Sequence, residues 1–266
     1  MLIDGKKIAA QIETRLAKEI RRRKAKPNLA VVLVGNDPAS QVYVRKKGEA
    51  AARVGIGFTL YEITQLSQKR VLTLIEKLNS DPKVSGIIVQ LPLPDELNEG
   101  RIISRISSDK DVDGLTPQSP FTPAAAGAVL EVLRRQKVEI AGSNAVVVGR
   151  GKVAGLPIAS ALLKNDATVT VAHSKTKDLS VFTSQADILV SAVGRACLIK
   201  PSMVKKGAAV IDVGISRAGK KLAGDVDPAV EAKARFMTPV PGGIGPLTVA
   251  ILLENTAQAY DLQNMH

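Results

Sequence analysis

Tyr43 and Lys47 stand four residues apart in a stretch, Ser40 to Val54, whose pattern predicts a helix, so a phenol ring and an amine share one face. The predicted strand Val84 to Gln90 runs into Gln90-Leu91-Pro-Leu-Pro94, which puts an amide at a strand's carboxyl end, where open α/β sheets bind their ligands. Asp113 lies in Lys110-Asp-Val-Asp113-Gly114, and an ionised carboxylate there accepts from paired N–H donors. Each feature also has a plainer reading when taken alone. Tyr-x-x-x-Lys is usually a half-buried ring beside a lysine whose stem packs along the surface, and an acidic residue before glycine is usually a turn.

A second group of residues points to a nucleotide. The run Ala145 to Val148 leads into Gly149-Arg150-Gly151-Lys-Val-Ala-Gly155, followed by a helical pattern through Lys164. Strand, glycine turn and helix let backbone amides approach a pyrophosphate whose charge the helix N-terminus stabilises. The spacing is one residue longer than the commonest dinucleotide fingerprint. The next strand ends in Ala172-His173-Ser174-Lys175, without the acidic residue that would accept from ribose hydroxyls. Arg150, Ser174 and Lys175 suit a ribose phosphate instead, which favours NADP over NAD. A purely structural glycine turn, a surface arginine and a turn serine are the plainer alternatives.

The elements that must hold these residues are legible as alternating apolar runs and amphipathic stretches. Leu29 to Val34, Phe58 to Ile63 and Val84 to Gln90 form one set of strands; Ala145 to Gly149, Thr168 to His173, Ala186 to Gly194 and Ala208 to Gly214 form another. The alternation predicts parallel sheets covered by helices, hence an α/β protein of two lobes. Gly114 to Pro123 reads as a linker before a helix, Ala124 to Arg135. Pro239 to Pro246, with the sequence PVPGGIGP, suits neither regular helix nor central strand and precedes an apolar helix, Leu247 to Tyr260.

Composition narrows the class. A chain of 266 residues with 45% apolar content is globular and long for one core. No apolar run is long enough to span a bilayer, and the first residues lack the apolar core of a signal peptide, so the expected location is cytoplasmic, with no membrane partner. Cys197 is the single cysteine, with His173 and His266 the two histidines, too few for a zinc-type ligand set; no metal is expected. The net charge of +12 suits an anionic partner, but aromatics make up 3%, leaving few stacking platforms for single-stranded nucleic acid, so none is expected as a partner. The basic run Arg21, Arg22, Arg23, Lys24 and Lys26 reads as a solvated helix end.

Taken in order, Tyr43-x-x-x-Lys47, Gln90-Leu-Pro-Leu-Pro, Lys-Asp-Val-Asp113-Gly, Val-Val-Val-Gly-Arg150, His-Ser174-Lys-Thr and Thr-Pro-Val-Pro241-Gly-Gly-Ile-Gly245-Pro-Leu-Thr resemble the signatures of the methylenetetrahydrofolate dehydrogenase/cyclohydrolase family. The resemblance implies a catalytic lobe over 1–121, a Rossmann-type NADP lobe over 122–245, and a C-terminal helix, 246–266, returning to the first lobe, with a cleft between the lobes and a homodimer formed through the nucleotide lobe. It implies oxidation of 5,10-methylenetetrahydrofolate by NADP and hydrolysis of the methenyl product to 10-formyltetrahydrofolate, with a monofunctional dehydrogenase as the alternative. Lys47 would move the proton in hydrolysis, Gln90 would orient it, Asp113 would bind the pterin and Tyr43 would stack on the aminobenzoate ring. Val89, Leu91, Pro241, Gly242, Gly243, Ile244 and Gly245 would line the folate. Thr122, Gly149, Arg150, Gly151, Gly155, Ser174, Ile215 and Thr248 would contact NADP.

The sequence departs from that pattern in places. Five residues separate Gly114 from Pro120, fewer than is usual, and Phe121 and Ala125 stand where the family usually has cysteine and glycine. Gly151 and Leu156 replace a frequent serine and arginine. Gly48 should weaken its helix by roughly 1 kcal/mol relative to Ala. A two-lobed NADP dehydrogenase of small hydroxy or amino acids would share the glycine turn without needing Tyr43, Gln90 and Asp113 together. A basic nucleic-acid-binding protein has the net charge alone in its favour.

Overall fold

Buried apolar runs become parallel strands and the stretches between them helices in a computed structural model that describes residues 1–23, 25–218 and 221–265. Lys24 and His266, named above, lie outside the described residues. In chain order the elements are α1 (Gly5–Arg21), β1 (Asn28–Val34), α2 (Pro38–Val54), β2 (Gly57–Ile63), α3 (Gln68–Ser80), β3 (Gly86–Val89), α4 (Glu99–Ile103), α5 (Ala124–Arg135), β4 (Asn144–Val148), α6 (Gly155–Lys164), β5 (Thr168–Ala172), α7 (Leu179–Thr183), β6 (Ile188–Ser191), β7 (Ala209–Asp212), β8 (Ser216–Ala218), β9 (Lys221–Ala223), β10 (Phe236–Met237) and α8 (Ile244–Gln263). Packing divides the chain into two units: Ala10–Ala124 with the chain from Val249 onward, and Met1–Ala9 with Ala125–Thr248. Among the described residues no helix is long and apolar enough to cross a membrane.

In the first unit β1 lies between β2 and β3, all parallel. Successive side chains of β1 alternate between two cores, as a strand's period of two requires. Leu29, Val31 and Leu33 pack with Leu16 and Ile20 of α1, Val44 and Val54 of α2, and Leu252 and Leu253 of α8. Ala30, Val32 and Val34 pack with Val71, Ile75 and Leu78 of α3 and Ile102 of α4. Burial on both faces is why β1 reads as one continuous apolar run. The last helix is tied to this unit by polar contacts as well: Nδ2 of Asn255 donates to the carbonyls of Val112 at 2.9 Å and Thr122 at 3.0 Å. Arg23 makes a two-pronged pair with Asp261 at 2.8 and 2.6 Å, so this member of the basic run is a docking residue rather than a solvated helix end.

The second unit has a five-stranded parallel sheet in the order β10-β7-β6-β4-β5. The chain passes from β4 to β5 on one side and then to β6 on the other, so the carboxyl end of β4 is a topological switch point. The first residues of the chain extend the opposite edge: Leu2 bridges Met237, and the amide of Ile3 donates to the Met237 carbonyl at 2.9 Å.

The C-terminal helix begins earlier than its sequence suggests. The expected irregular stretch Pro239 to Pro246 ends at Gly243, and α8 starts at Ile244 instead of Leu247. Gly245 and Pro246 sit in the first turn, where a proline's missing N–H has no helical acceptor to satisfy.

Candidate functional site

Lys47 is placed by a helix with strong signals at both ends. Asp37 caps α2 by accepting from the amide of Ser40 at 2.7 Å, and Pro38 enters the first turn with its φ already set. At the other end Gly55 has φ +85°, and its amide and that of Ile56 both donate to the Ala51 carbonyl at 3.0 Å, closing the helix. Gly48, a helix weakener by type, has a local reason: a Cβ there would stand 3.3 Å from the ring of Phe58 on β2.

Across from Lys47, Gln90 leaves the end of β3, with its amide donating to the Val32 carbonyl of β1 at 2.9 Å. The Lys47 amine donates to Oε1 of Gln90 at 2.9 Å, and Nε2 of Gln90 donates to the Leu91 carbonyl at 2.6 Å. Asp113 acts on the same amine. Burial holds the Lys47 amine below the usual lysine range, and the Asp113 charge opposes that shift. Burial pushes the Asp113 carboxyl up, opposed by Lys47 and reinforced by Asp111. Tyr43, one helical turn before Lys47, is half-buried, and burial raises its phenol. Lys46 lies 6.0 Å from the centre of its ring.

The loop carrying Asp113 is pinned by residues whose roles are not visible in a motif. The buried amine of Lys110 donates to the carbonyls of Leu78 and Asp81, at 3.1 and 2.7 Å, at the end of α3. Asp111 accepts from the amide of Thr116 at 2.6 Å, and its carbonyl accepts from Ser119 Oγ at 2.9 Å. Gly114 has φ +71°, and a side chain there would press within 2.8 Å of Pro123. Lys110 and Asp111 thus anchor the loop that carries Asp113, whose charge is felt at Lys47. Val89 is buried among the α3-side core residues, and Thr122 is exposed in this same first unit.

In the second unit, the glycine turn lies at the switch point after β4. Gly149 has φ +114°, and a side chain there would collide with the carbonyl of Ala192. A side chain on Gly155 would collide with the Gly149 carbonyl, whereas one on Gly151 would meet nothing within 4 Å. A turn packed on one side and open on the other, leading into the ten-residue α6, fits a pyrophosphate on its open face. Arg150 and Lys175 are exposed, as is Ser174 just past the end of β5. Ile215 follows β7 and is exposed. Pro241–Gly245 follow β10, with the Gly243 amide on the Pro239 carbonyl at 2.8 Å, and Thr248 Oγ1 donates to the Gly245 carbonyl at 2.7 Å.

Comparisons with known proteins cover both units. The family model for the tetrahydrofolate dehydrogenase/cyclohydrolase catalytic domain matches residues 3–113, and that for its NAD(P)-binding domain matches residues 123–264. A relative named bifunctional protein FolD, from Halalkalibacterium halodurans, is 48% identical over 273 aligned residues, covering 97% of this chain and 98% of its own. The structure is similar to the crystal structure of the bifunctional FolD methylenetetrahydrofolate dehydrogenase/cyclohydrolase of Campylobacter jejuni, with a TM-score of 0.95 at 41% identity over 98% of this chain and 99% of that one. It is similar also to the Trypanosoma brucei enzyme complexed with NADP cofactor and inhibitor, with a TM-score of 0.95 at 38% identity over 98% of this chain and 97% of that one.

Proposed function

The chain belongs to the tetrahydrofolate dehydrogenase/cyclohydrolase family, and from its two sites we propose that Lys47, Gln90 and Asp113 are the folate-side machinery while the Gly149–Gly155 turn, Arg150 and Ser174 hold NADP. The enzyme is bifunctional: it oxidises 5,10-methylenetetrahydrofolate with NADP to the methenyl cation and hydrolyses that cation to 10-formyltetrahydrofolate. Bound NADP supplies the hydride acceptor. The protein's task in that step is to hold the reacting carbons in contact.

In hydrolysis, Lys47 in its neutral form takes the proton released when water adds to the methenyl carbon. A partly desolvated amine is suited to this, because burial favours the uncharged form and brings its pKa toward the working pH. Gln90 turns its oxygen to that amine and so fixes where it points. Asp113 accepts from the pterin's N–H groups, and its charge balances Lys47 whenever the amine is protonated. Tyr43 offers its ring to the aminobenzoate. On the nucleotide side, Arg150 and Ser174 meet the ribose phosphate through charge-assisted hydrogen bonds, with Lys175 nearby. The enzyme acts in the cytoplasm as a homodimer joined through its nucleotide unit, and its product serves as a formyl donor for purine biosynthesis.

The observation that carries the folate-side reading is the partly desolvated Lys47 amine, which donates to Gln90 and feels the charge of Asp113. The test is to mix the purified protein with methylenetetrahydrofolate and NADP and follow the methenyl absorbance. Its appearance reports oxidation, and its enzyme-accelerated decay reports hydrolysis; absence of both rejects the reading.

A further inference from the structure

Two carboxylates are buried at the carboxyl end of the second unit's sheet, and neither has a part in the reactions above. Asp212 ends β7 and is 2% exposed; Asp225, just past β9, is 0% exposed. Asp212 accepts from the amides of Gly214 at 3.1 Å, Asp225 at 3.1 Å and Val226 at 2.8 Å. The Asp225 side chain accepts from Ser191 Oγ at 2.9 Å and from the amides of Val193 and Arg195, both at 2.7 Å. The first carboxylate therefore fixes the backbone of the second, and the second fixes the loop after β6. Glycine makes room for both: a side chain at Gly214 would collide with the Asp225 carboxylate, and one at Gly224 with that of Asp212.

Burying a carboxylate is costly unless hydrogen bonds satisfy it, and here backbone amides and the Ser191 hydroxyl do so for both. What the pair secures is position. The loop it grips abuts the nucleotide turn, since a side chain on Gly149 would strike Ala192. It also meets the segment after β7, where a Cβ on Gly194 would stand 3.4 Å from the Ile215 carbonyl oxygen. Val193 and Ile215 thereby present apolar side chains, 40% and 41% exposed, at the edge of the sheet where ligands bind. Ser174 lies after β5 on one side of β4, and the loops after β6 and β7 lie on the other. With the ribose phosphate at Ser174, a dinucleotide spread across the switch point brings its nicotinamide half to Val193 and Ile215.

We propose that Asp225, held by Asp212, is a positioning residue for the nicotinamide half of NADP, acting through the Val193–Arg195 loop and the apolar pair Val193 and Ile215. The inference rests on NADP being the cofactor, and binding of NADP by the unaltered protein checks that premise separately. The experiment is equilibrium titration of Asp225→Ala, Asp225→Asn and Ser191→Ala with NADP and, in parallel, with 2′,5′-ADP, which carries only the adenosine half. Loss of the clamp in Asp225→Ala should raise the Kd for NADP about tenfold or more, with Asp225→Asn intermediate and Ser191→Ala raised severalfold. The Kd for 2′,5′-ADP should stay within about twofold of the parent. Equal weakening of NADP and 2′,5′-ADP would mean a general structural role and overturn the proposal, as would unchanged NADP binding. If the Asp225 variants fail to fold, Ser191→Ala, which removes only one donor to the carboxylate, decides the matter by the same comparison.

Discussion

The Lys47 amine meets the oxygen end of the Gln90 amide at 2.9 Å, and the nitrogen end of that amide is engaged by the Leu91 carbonyl at 2.6 Å. An amide held at both ends does not rotate to turn its N–H groups on the lysine. The amine therefore has a fixed acceptor and a fixed direction. Burial disfavours its charged form and outweighs the pull of Asp113, so Lys47 exchanges its proton at lower pH than an exposed lysine does.

Replacing Lys47 with Met keeps the length and apolar stem of the side chain but removes the proton carrier. Lys47→Met should lower methenyl hydrolysis on the order of 10²-fold or more, the usual worth of a positioned acid or base, while NADP reduction remains measurable. Both rates come from one absorbance trace. Equal retention of the two activities would remove Lys47 from the proton-transfer step.

Asp113 raises the Lys47 pKa, so its neutral isostere makes a prediction of definite sign. In Asp113→Asn the opposing charge is gone and burial acts alone, which lowers the Lys47 pKa further. Hydrolysis needs the neutral amine, so its kcat rises with pH through that pKa, and in the variant the rising limb should move to lower pH. A pH–rate profile at saturating substrate separates this from weaker pterin binding, which appears in KM. A limb that stays in place would detach Asp113 from the amine.

Much of this arrangement is legible in the residue order, and the limits have physical causes. The strands β1, β3, β4, β6 and β7 are readable because they are buried on two faces and so nearly continuously apolar, whereas the edge strands β2 and β5 are only partly buried and mix polar with apolar residues. The helix α5 runs from Ala124 to Arg135, as its pattern suggests, and Tyr43 and Lys47 share a face because four residues make about one helical turn. The hairpin β8–β9 and the two-residue β10 are too short to carry a periodic signal. The Asp212–Asp225 clamp escapes notice because two isolated acids far apart in sequence look like turn residues until the strand ends bring them together. The packing of Met1–Ala9 with Ala125–Thr248 depends on pairing with β10, a long-range contact with no local mark.

Arg150 is exposed at the glycine turn, and Ser174 is exposed just past β5. If both meet the ribose phosphate, Arg150→Ala should raise KM for NADP by about ten- to a hundredfold while leaving KM for NAD nearly unchanged, because NAD has no phosphate there to lose. Steady-state kinetics with each cofactor decide it. A parallel rise for both would make Arg150 a contact of the shared part of the dinucleotide.

Gly5 opens α1 against the loop that follows β10, and a Cβ at that position would collide with the carbonyl oxygen of Gly243. Gly5→Ala must therefore shift Gly242 and Gly243, in the segment Pro241–Gly245 that the family resemblance assigns to the substrate. The expected outcome is a loss of about 1–3 kcal/mol in stability, the usual cost of overpacking, together with a lower kcat/KM for the folate. Thermal melting and kinetics measure the two separately. Full activity with parental stability would show that the loop yields freely at this contact.

Asp212 gives stability a pH dependence opposite to that of an ordinary paired carboxylate. Burial pushes its pKa up from 3.8 to about 7, against the pull of the amides of Gly214, Asp225 and Val226. Between those two values the native state holds a proton that the unfolded chain has released, so this group's contribution falls as pH rises through the window. Each pH unit costs up to about 1.4 kcal/mol for one proton. Asp187 and Glu131, held low by Lys205 and by Arg134 with Arg135, lose stabilisation as pH falls through the ordinary carboxylate range, a contribution of opposite sign that parent and variant share and that cancels in their comparison. Asp212→Asn, which cannot titrate, should therefore show a flatter fall in unfolding free energy from pH 4 to 7 than the parent, whatever its absolute stability. Denaturant melts at several pH values give both slopes, and parallel slopes would mean that Asp212 is ionised throughout and that its three amide donors outweigh burial.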